Sequence, residues 1–142
     1  MKIHHIGIVS KEKDLTNFYL KPKKRFIYLD KIQNNKIILE YNKSNNLWME
    51  FIIPLNKNST VFNHYKKNGP SIHHFAYFTK NLEKIKKKFM KKKGYIFVNQ
   101  FQTNIPCFGG NLKTAFFYNN NIFIEFLSHD KKSPNRKNNR QL

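Results

Sequence analysis

The sequence predicts an α+β fold made of two βαβββ modules that follow one another along a chain of 142 residues. Two pairs of related segments indicate this repeat. An apolar strand with adjacent histidines opens residues 3–15 and returns at 71–86, and each time it leads into a polar, helix-like segment. A strand with a central glutamate, WMEFI at 48–52, returns as FIEFL at 123–127. A duplicated supersecondary unit accounts for both pairs of segments.

The repeat sets the expected domain organisation. One domain of residues 1–128 contains modules at 1–55 and 71–128, joined by a linker at 56–70. A chain of this length can bury a core without disulfides or structural metals. Residues 129–142 form a polar, basic tail without periodicity, which we expect to be disordered.

The first module is defined by its apolar runs and its turn residues. A helix over 11–20 begins after Ser10, an N-cap residue type, and ends before Pro22. The pair Asn34 and Asn35 marks a turn between two short strands. Four strands are expected in this module, at residues 2–9, 26–29, 36–41 and 47–53.

The second module repeats this order after a short linker helix. Ser59 is expected to cap that helix, which runs through Tyr65. The helix of the second module covers 81–93, with lysines on its exposed side, and Gly94 ends it. Four strands are expected here, at residues 71–78, 95–98, 112–118 and 122–127.

The net charge of +19 raises the possibility of nucleic-acid binding. The cations are nearly all lysine, whereas planar recognition of phosphate favours arginine. The abundant residue types Lys, Asn, Ile, Phe and Tyr have codons made largely of A and T, so a biased genome explains the composition. We therefore expect no nucleic-acid partner, and a basic nucleic-acid-binding protein remains as an alternative.

The cellular setting follows from cysteine usage and hydropathy. Cys107 is the single cysteine, which excludes an intramolecular disulfide and fits a reducing cytoplasm. No stretch approaches the roughly 20 apolar residues of a membrane span. We expect a cytoplasmic protein without membrane association.

Four residues are candidates for metal ligation. Glu50 and Glu125 lie in the middle of strands whose other residues are apolar, where an ionised carboxylate needs a partner or a metal ion. His5 and His74 occupy matching places in the strands that open the two modules. Two imidazoles and two carboxylates suit a divalent transition metal such as Mn, Fe, Co, Ni or Zn.

The choice of histidine in each pair rests on strand alternation. His5 and His74 each share a strand face with a small residue two positions on, which leaves room for a ligand. Their neighbours His4 and His73 share a face with large apolar residues, so we expect them to be supporting or structural residues. The alternative is that each strand histidine is an ordinary packing residue.

These segments resemble the vicinal oxygen chelate superfamily, which includes glyoxalases, bleomycin-resistance proteins and dioxygenases. Within residues 2–128, the segments MEFIIPL at 49–55, STV at 59–61 and KNGPSIHHFAY at 67–77 are most similar to the methylmalonyl-CoA epimerase family. The resemblance implies that the two modules form a half-open mixed β-barrel around a metal cleft. It also implies a homodimer and a small-molecule substrate, with acyl-CoA as one class, and it places His5, Glu50, His74 and Glu125 at the ligand positions.

Two further positions follow from the resemblance. Glu40 is the counterpart of a second catalytic carboxylate in the third strand, but it aligns one residue off, and the alternative is a solvated strand-edge charge. The segment Phe108, Gly109 and Gly110 stands where the epimerases have a Gly-rich loop. Paired glycines permit the backbone changes of a lid over the substrate, and the alternative is an ordinary turn.

The resemblance implies a divalent-metal-dependent isomerase or epimerase that acts through a metal-stabilised enolate, with Glu125 or Glu40 taking the α-proton. Three alternatives remain at this point. The first is a glyoxalase I-like (lactoylglutathione lyase) enzyme, and the second is an uncharacterised family member associated with polysaccharide gene clusters. The third is a non-catalytic, resistance-type protein that binds a small molecule in the same cleft.

Overall fold

In the computed structural model, the described residues are 1–12, 14 and 24–130. The chain divides into two compact units, one of residues Lys2–Ala76 and one that starts at Tyr77 and also includes Met1. The predicted α+β class is confirmed, because the described residues form eight β-strands and two α-helices.

Every predicted strand is present. The ends of seven strands lie within two residues of the predicted ones, and β6 is longer than predicted. The strands are β1 Ile3–Val9, β2 Lys24–Asp30, β3 Asn35–Asn42, β4 Leu47–Pro54, β5 Ser71–Phe78, β6 Ile96–Ile105, β7 Gly110–Asn119 and β8 Ile122–His129. The helices are α1 Phe62–Asn68 and α2 Leu82–Met90.

The first unit is a mixed sheet with the strand order β2-β3-β4-β1, followed by the start of β5. β1 and β4 are parallel, and the other pairs among β2, β3 and β4 are antiparallel. One face carries a core of branched and aromatic side chains: Ile8, Ile38, Phe51 and Ile53. Side chains alternate across each strand, so residues next to these in sequence point to the opposite face.

The second unit is an antiparallel sheet of β6, β7 and β8 with α2 packed on one face. Asn81 caps α2 by accepting a hydrogen bond from the backbone N–H of Lys84 at 3.0 Å. The predicted apolar side of this helix meets the sheet in a core of Leu82, Phe89, Ala115, Phe117 and Phe126.

The linker helix begins later than predicted because Ser59 has another role. The Ser59 hydroxyl accepts from the backbone N–H of Val61 at 3.1 Å and donates to Asn35 Oδ1 at 2.5 Å. Both Ser59 and Asn35 are buried, so the hydroxyl satisfies a buried amide of β3 as well as the turn. α1 therefore starts at Phe62 and continues to Asn68.

The largest difference from prediction is the length of β6, which spans ten residues where only 95–98 were expected. The added residues, such as Asn99, Gln100 and Asn104, are polar and exposed on a strand at the edge of the sheet. Phe101, Thr103 and Ile105 alternate with these exposed residues, but only Phe101 and Ile105 are apolar, so the apolar alternation is weak in the sequence. α2 is shorter than predicted, ending at Met90 where position 93 was expected.

Two predictions concern segments that lie wholly or partly outside the described residues. The helix expected over 11–20, with its end before Pro22, involves residue 13 and residues 15–23, which lie outside the described residues. The disordered tail was expected over 129–142, but His129 is the last residue of β8, and residues 131–142 lie outside the described residues. Among the helices of the described ranges, none has the length and apolarity needed to cross a membrane.

We predict that Phe89→Ala lowers the free energy of unfolding by about 3–5 kcal/mol, because it leaves a cavity among Phe117, Phe126 and Tyr95. Met90→Ala, next to it on the exposed side of α2, is the control and should change stability by no more than about 0.5 kcal/mol. Urea denaturation followed by circular dichroism measures both. Equal effects of the two variants would contradict the packing described for α2.

Candidate metal centre

Three of the four predicted ligands come together in the first unit. His5 Nε2 lies 3.0 Å from His74 Nε2, and Glu50 Oε2 lies 3.1 Å from His74 Nε2 and 3.6 Å from His5 Nε2. The three residues are buried, with relative exposures of 2%, 2% and 8% for His5, His74 and Glu50. A buried cluster of two imidazoles and a carboxylate is typical of a metal-binding or acid–base site.

The register of two parallel strands places Glu50 beside the histidines. Gly7 of β1 is the partner of Glu50 in β4, and His5 is the partner of Trp48 two residues earlier. Partners in adjacent strands share a face, so His5, Gly7 and Glu50 point to the same side of the sheet. This side is opposite to the core that contains Phe51.

The position of the His74 ring requires a glycine at position 7. A Cβ atom built on Gly7 would lie 2.1 Å, 2.3 Å and 2.6 Å from three atoms of the His74 imidazole. From the sequence, Gly7 was expected to leave room for a bound ligand beside His5. In the structure, the imidazole ring of His74 occupies this space. A side chain at this position would push His74 away from His5 and Glu50.

Each histidine of the cluster has a second histidine on its other ring nitrogen. His4 Nδ1 lies 2.9 Å from His5 Nδ1, and His73 Nδ1 lies 3.0 Å from His74 Nδ1. The same neighbour-to-neighbour contact therefore occurs in both strands. It leaves the Nε2 atoms of His5 and His74 directed at each other and at Glu50.

A fifth histidine extends this arrangement and was missed by the sequence interpretation. His64 of α1 packs edge-on against the His73 ring, with 5.2 Å between centroids, and its Nε2 lies 2.9 Å from Ser71 Oγ. Burial lowers the pKa of His64, which favours the neutral ring. A histidine in a short linker helix has no periodic signature, so only its closeness in the fold reveals it.

The donor atoms of this cluster fit a divalent transition metal. Ligand atoms about 2.0–2.1 Å from such an ion, in tetrahedral or octahedral arrangement, lie about 2.8–3.4 Å from one another. The separations of 3.0 and 3.1 Å from His74 Nε2 lie within that range, and the separation of 3.6 Å between His5 Nε2 and Glu50 Oε2 is slightly above it. Two imidazole nitrogens and one carboxylate oxygen form a mixed N/O donor set, which suits Zn, Co, Ni, Fe or Mn.

Glu125, the fourth predicted ligand, belongs to the second unit. It lies in the middle of β8 opposite Phe116 of β7, and it is only 6% exposed. Its neighbour Phe126 points into the α2 core, so Glu125 points away from that core. Glu50 has the same relation to Phe51 and to the core of the first unit. The two glutamates thus occupy equivalent positions in their units.

Glu40 lies on the other side of the sheet from Glu50. It is the β3 partner of Met49, whereas its neighbour Leu39 is the partner of Glu50. Its carboxylate accepts hydrogen bonds from Arg25 Nε at 2.8 Å and Arg25 Nη2 at 2.5 Å. Glu40 lies in an inner strand and its side chain is only 13% exposed, so it is not the solvated strand-edge charge of the alternative. A catalytic role for Glu40 stays a prediction to which this placement gives no support.

The predicted lid segment forms a tight turn between β6 and β7. Residues Pro106–Phe108 make one turn of 3-10 helix, and the Phe108 side chain is buried. Gly109 has a positive φ of 97°, and a Cβ on it would lie 2.6 Å from Cε1 of His129. The glycine is thus needed for the turn itself, and a lid role for Phe108, Gly109 and Gly110 stays a prediction.

Comparisons with solved structures establish a shared fold. Methylmalonyl-CoA epimerase from Mycobacterium tuberculosis is similar with a TM-score of 0.73 and 17% identity, over 92% of this chain and 89% of that chain. A hypothetical protein from Bacillus halodurans has a TM-score of 0.69 and 24% identity, over 94% and 98%. A variant of Streptomyces coelicolor methylmalonyl-CoA epimerase, in complex with 2-nitronate-propionyl-CoA, has a TM-score of 0.71 and 18% identity, over 91% and 97%.

Sequence comparison gives the family. No curated protein matches this sequence significantly. The sequence profile of the Glyoxalase/Bleomycin resistance protein/Dioxygenase superfamily matches residues 4–116, which is most of the chain and includes three of the four predicted ligands. The predicted superfamily is confirmed: this chain belongs to the Glyoxalase/Bleomycin resistance protein/Dioxygenase superfamily.

Proposed function

We propose that this protein is a divalent-metal-dependent isomerase, with epimerisation of an acyl-CoA such as methylmalonyl-CoA as the first candidate reaction. The observation that carries the proposal is the buried convergence of His5 Nε2, His74 Nε2 and Glu50 Oε2 within 3.6 Å of one another. Two similar structures support the choice of substrate class: they are methylmalonyl-CoA epimerases, and one is a complex with 2-nitronate-propionyl-CoA.

The proposed ligand set is His5, Glu50, His74 and Glu125. The first three are supported by their mutual distances, and Glu125 is supported by its position in β8, which is equivalent to that of Glu50 in β4. A divalent ion held by these side chains would supply a Lewis acid that stabilises negative charge developing on a carbonyl oxygen of the substrate.

The chain's own contribution to the reaction is proton transfer. We assign to Glu125 the removal of the proton next to the substrate carbonyl, because a carboxylate is a suitable general base at neutral pH. Ile124 and Phe126 flank it in sequence, and Phe126 is buried in the core, so β8 holds the carboxylate in a rigid strand. A rigid strand fixes the geometry of proton transfer better than a loop does.

A second candidate is isomerisation with a single base, as in glyoxalase I (lactoylglutathione lyase). Epimerisation requires acid or base groups on both faces of the substrate carbon. In β1–β4 of the described chain, the side of the sheet that carries Glu50 has one other acid, Asp30, which accepts hydrogen bonds from the backbone N–H groups of Ile32 and Gln33. Glu40 points to the other side and does not supply a second acid or base group, and this observation supports one-base chemistry as the second candidate.

We further propose that the protein is a cytoplasmic homodimer. Strand β2 lies at the edge of the sheet of the first unit, and its residues Ile27 and Leu29 are 56% and 57% exposed. Exposed apolar residues on an edge strand favour association with another chain. The single cysteine is consistent with a reducing compartment.

We predict that Gly7→Ala weakens Co²⁺ binding by about 10- to 100-fold, because the new methyl group must displace the His74 ring. Chelator competition monitored by the visible absorption of Co²⁺ measures the affinity. Ile27→Ala, a change at an exposed residue on the other side of the same sheet, should leave the affinity unchanged. Wild-type affinity in folded Gly7→Ala would mean that this contact does not position the ligand.

The function is tested with the Co²⁺-loaded protein and a single epimer of methylmalonyl-CoA. We expect conversion to the other epimer, and we expect Glu125→Gln to lower turnover by about 100-fold or more while the fold is retained. Glu40→Gln is the matched control, an acid-to-amide change on the opposite side of the sheet, and should keep turnover within about twofold. Full turnover by metal-loaded Glu125→Gln would remove that residue from the proposed mechanism.

The two candidate reactions are separated by an exchange experiment in D₂O. A one-base enzyme removes and returns the proton on one face, so it should place deuterium at C2 of one methylmalonyl-CoA epimer without inverting it. Proton NMR and chiral analysis measure both outcomes. Inversion at the same rate as exchange would favour the epimerase, and rapid conversion of the methylglyoxal–glutathione hemithioacetal would favour the glyoxalase-type reaction.

A further inference from the structure

We propose that His4 and His73 are positioning residues that set the ring tautomers of His5 and His74, so that both Nε2 atoms can bind a metal ion at the same time. This inference rests on the proposed metal binding and deepens it. Its evidence is geometric. In β1 and in β5, the first histidine of the pair has its Nδ1 within hydrogen-bond distance of the Nδ1 of the second histidine, which is the proposed metal ligand.

The chemistry of imidazole fixes the direction of these hydrogen bonds. A neutral histidine that binds a metal through Nε2 has its proton on Nδ1. The Nδ1–H groups of His5 and His74 must therefore donate, and the Nδ1 atoms of His4 and His73 must accept. Acceptance leaves the proton of His4 and of His73 on Nε2. The metal-bound pattern is thus Nδ1–H on both ligands and Nε2–H on both neighbours.

Without a metal ion, this pattern places two lone pairs 3.0 Å apart at the contact between His5 Nε2 and His74 Nε2. Neutral rings avoid the repulsion when one ligand, for example His74, has its proton on Nε2, where His5 Nε2 at 3.0 Å and Glu50 Oε2 at 3.1 Å are both acceptors. The Nδ1 of His74 then accepts from His73, whose proton must be on Nδ1. From this arrangement, metal binding requires a tautomer change in one ligand and in its neighbour.

The surroundings of His73 support a positioning role. Its ring packs edge-on against that of His64, whose Nε2 is 2.9 Å from Ser71 Oγ. α1 and the start of β5 thus fix the orientation of the His73 ring in which its Nδ1 contacts His74. Outer partners of this kind orient metal-binding histidines and raise their basicity.

The test compares two substitutions of similar shape. His73→Asn keeps an acceptor near the position of Nδ1, whereas His73→Leu removes it. We expect Zn²⁺ affinity, measured by chelator competition, to fall by about 10- to 100-fold in His73→Leu and to stay within about threefold of wild type in His73→Asn. The pair His4→Leu and His4→Asn should behave in the same way. Equal losses in both members of a pair, or no loss in either, would overturn the proposal.

A second measurement uses the unmodified protein and does not depend on variants that fold. Long-range ¹H–¹⁵N correlation of the histidine side chains distinguishes the two neutral tautomers. On Zn²⁺ loading, we expect His4 and His73 both to become Nε2–H and His5 and His74 both to become Nδ1–H. An Nδ1–H tautomer of His4 or His73 in the loaded protein, or a wild-type protein that takes up no Zn²⁺, would overturn the inference.

These readouts are independent of turnover. A protein that binds Zn²⁺ with the expected tautomers but converts neither methylmalonyl-CoA nor the hemithioacetal would contradict the proposed function and leave the positioning roles intact. A protein that turns over substrate while His73→Leu binds Zn²⁺ like the wild type would contradict the positioning roles and leave the proposed function intact.

Discussion

The candidate metal centre depends on the parallel pairing of β1 with β4. This register sets Glu50 opposite a residue without a side chain, Gly7, and the His74 ring fills the space that results. A shift of one residue in β4 would turn Glu50 toward the apolar core, and a shift of one residue in β1 would set a larger side chain beneath His74. The pairing of β1 with β4 therefore determines the relative positions of His5 and Glu50 and the space that the His74 ring of β5 occupies.

Because side chains alternate along a strand, the glutamate has the same orientation relative to the core in both units. In each, a glutamate lies between apolar residues in the last strand, one of its neighbours points into the core, and the glutamate points to the other side. The strands that open the modules also share one arrangement, in which the Nδ1 atoms of the two adjacent histidines lie 2.9 Å apart in β1 and 3.0 Å apart in β5. A duplicated pattern of this kind needs few changes to create a site, because one polar residue per strand supplies one ligand.

The parts of the fold and of the site that follow the internal repeat or the alternation of apolar residues could be predicted from the sequence. His5, Glu50 and His74 were identified because the repeat matched them, and the structure brings them together. All eight strands were expected from apolar runs between turn residues. Glu40 could not be placed, because sequence alone left its register uncertain by one residue, and that residue decides which side of the sheet its carboxylate occupies.

Other features depend on contacts between residues that are distant in the sequence. The role of Ser59 was missed because its hydroxyl bonds to Asn35, 24 residues earlier, and a capping rule considers only the residues that follow. His64 was missed for the same reason, because it meets His73 only after the linker has folded back. The second half of β6 was missed because most of its residues are polar, which makes the apolar alternation weak in the sequence.

The hydrogen bonds that fasten the linker to β3 have a consequence for insertions. Ser59 bonds to Asn35 and Thr60 bonds to Gln33, so the chain is anchored just before α1 begins. An insertion between this anchor and α1 would shift the helix that carries His64, and the disturbance would reach the histidines of β5. The turn at 43–46, which joins β3 to β4 away from this anchor, should tolerate extra residues, so homologues are expected to vary in length there and to keep a constant length at 59–62.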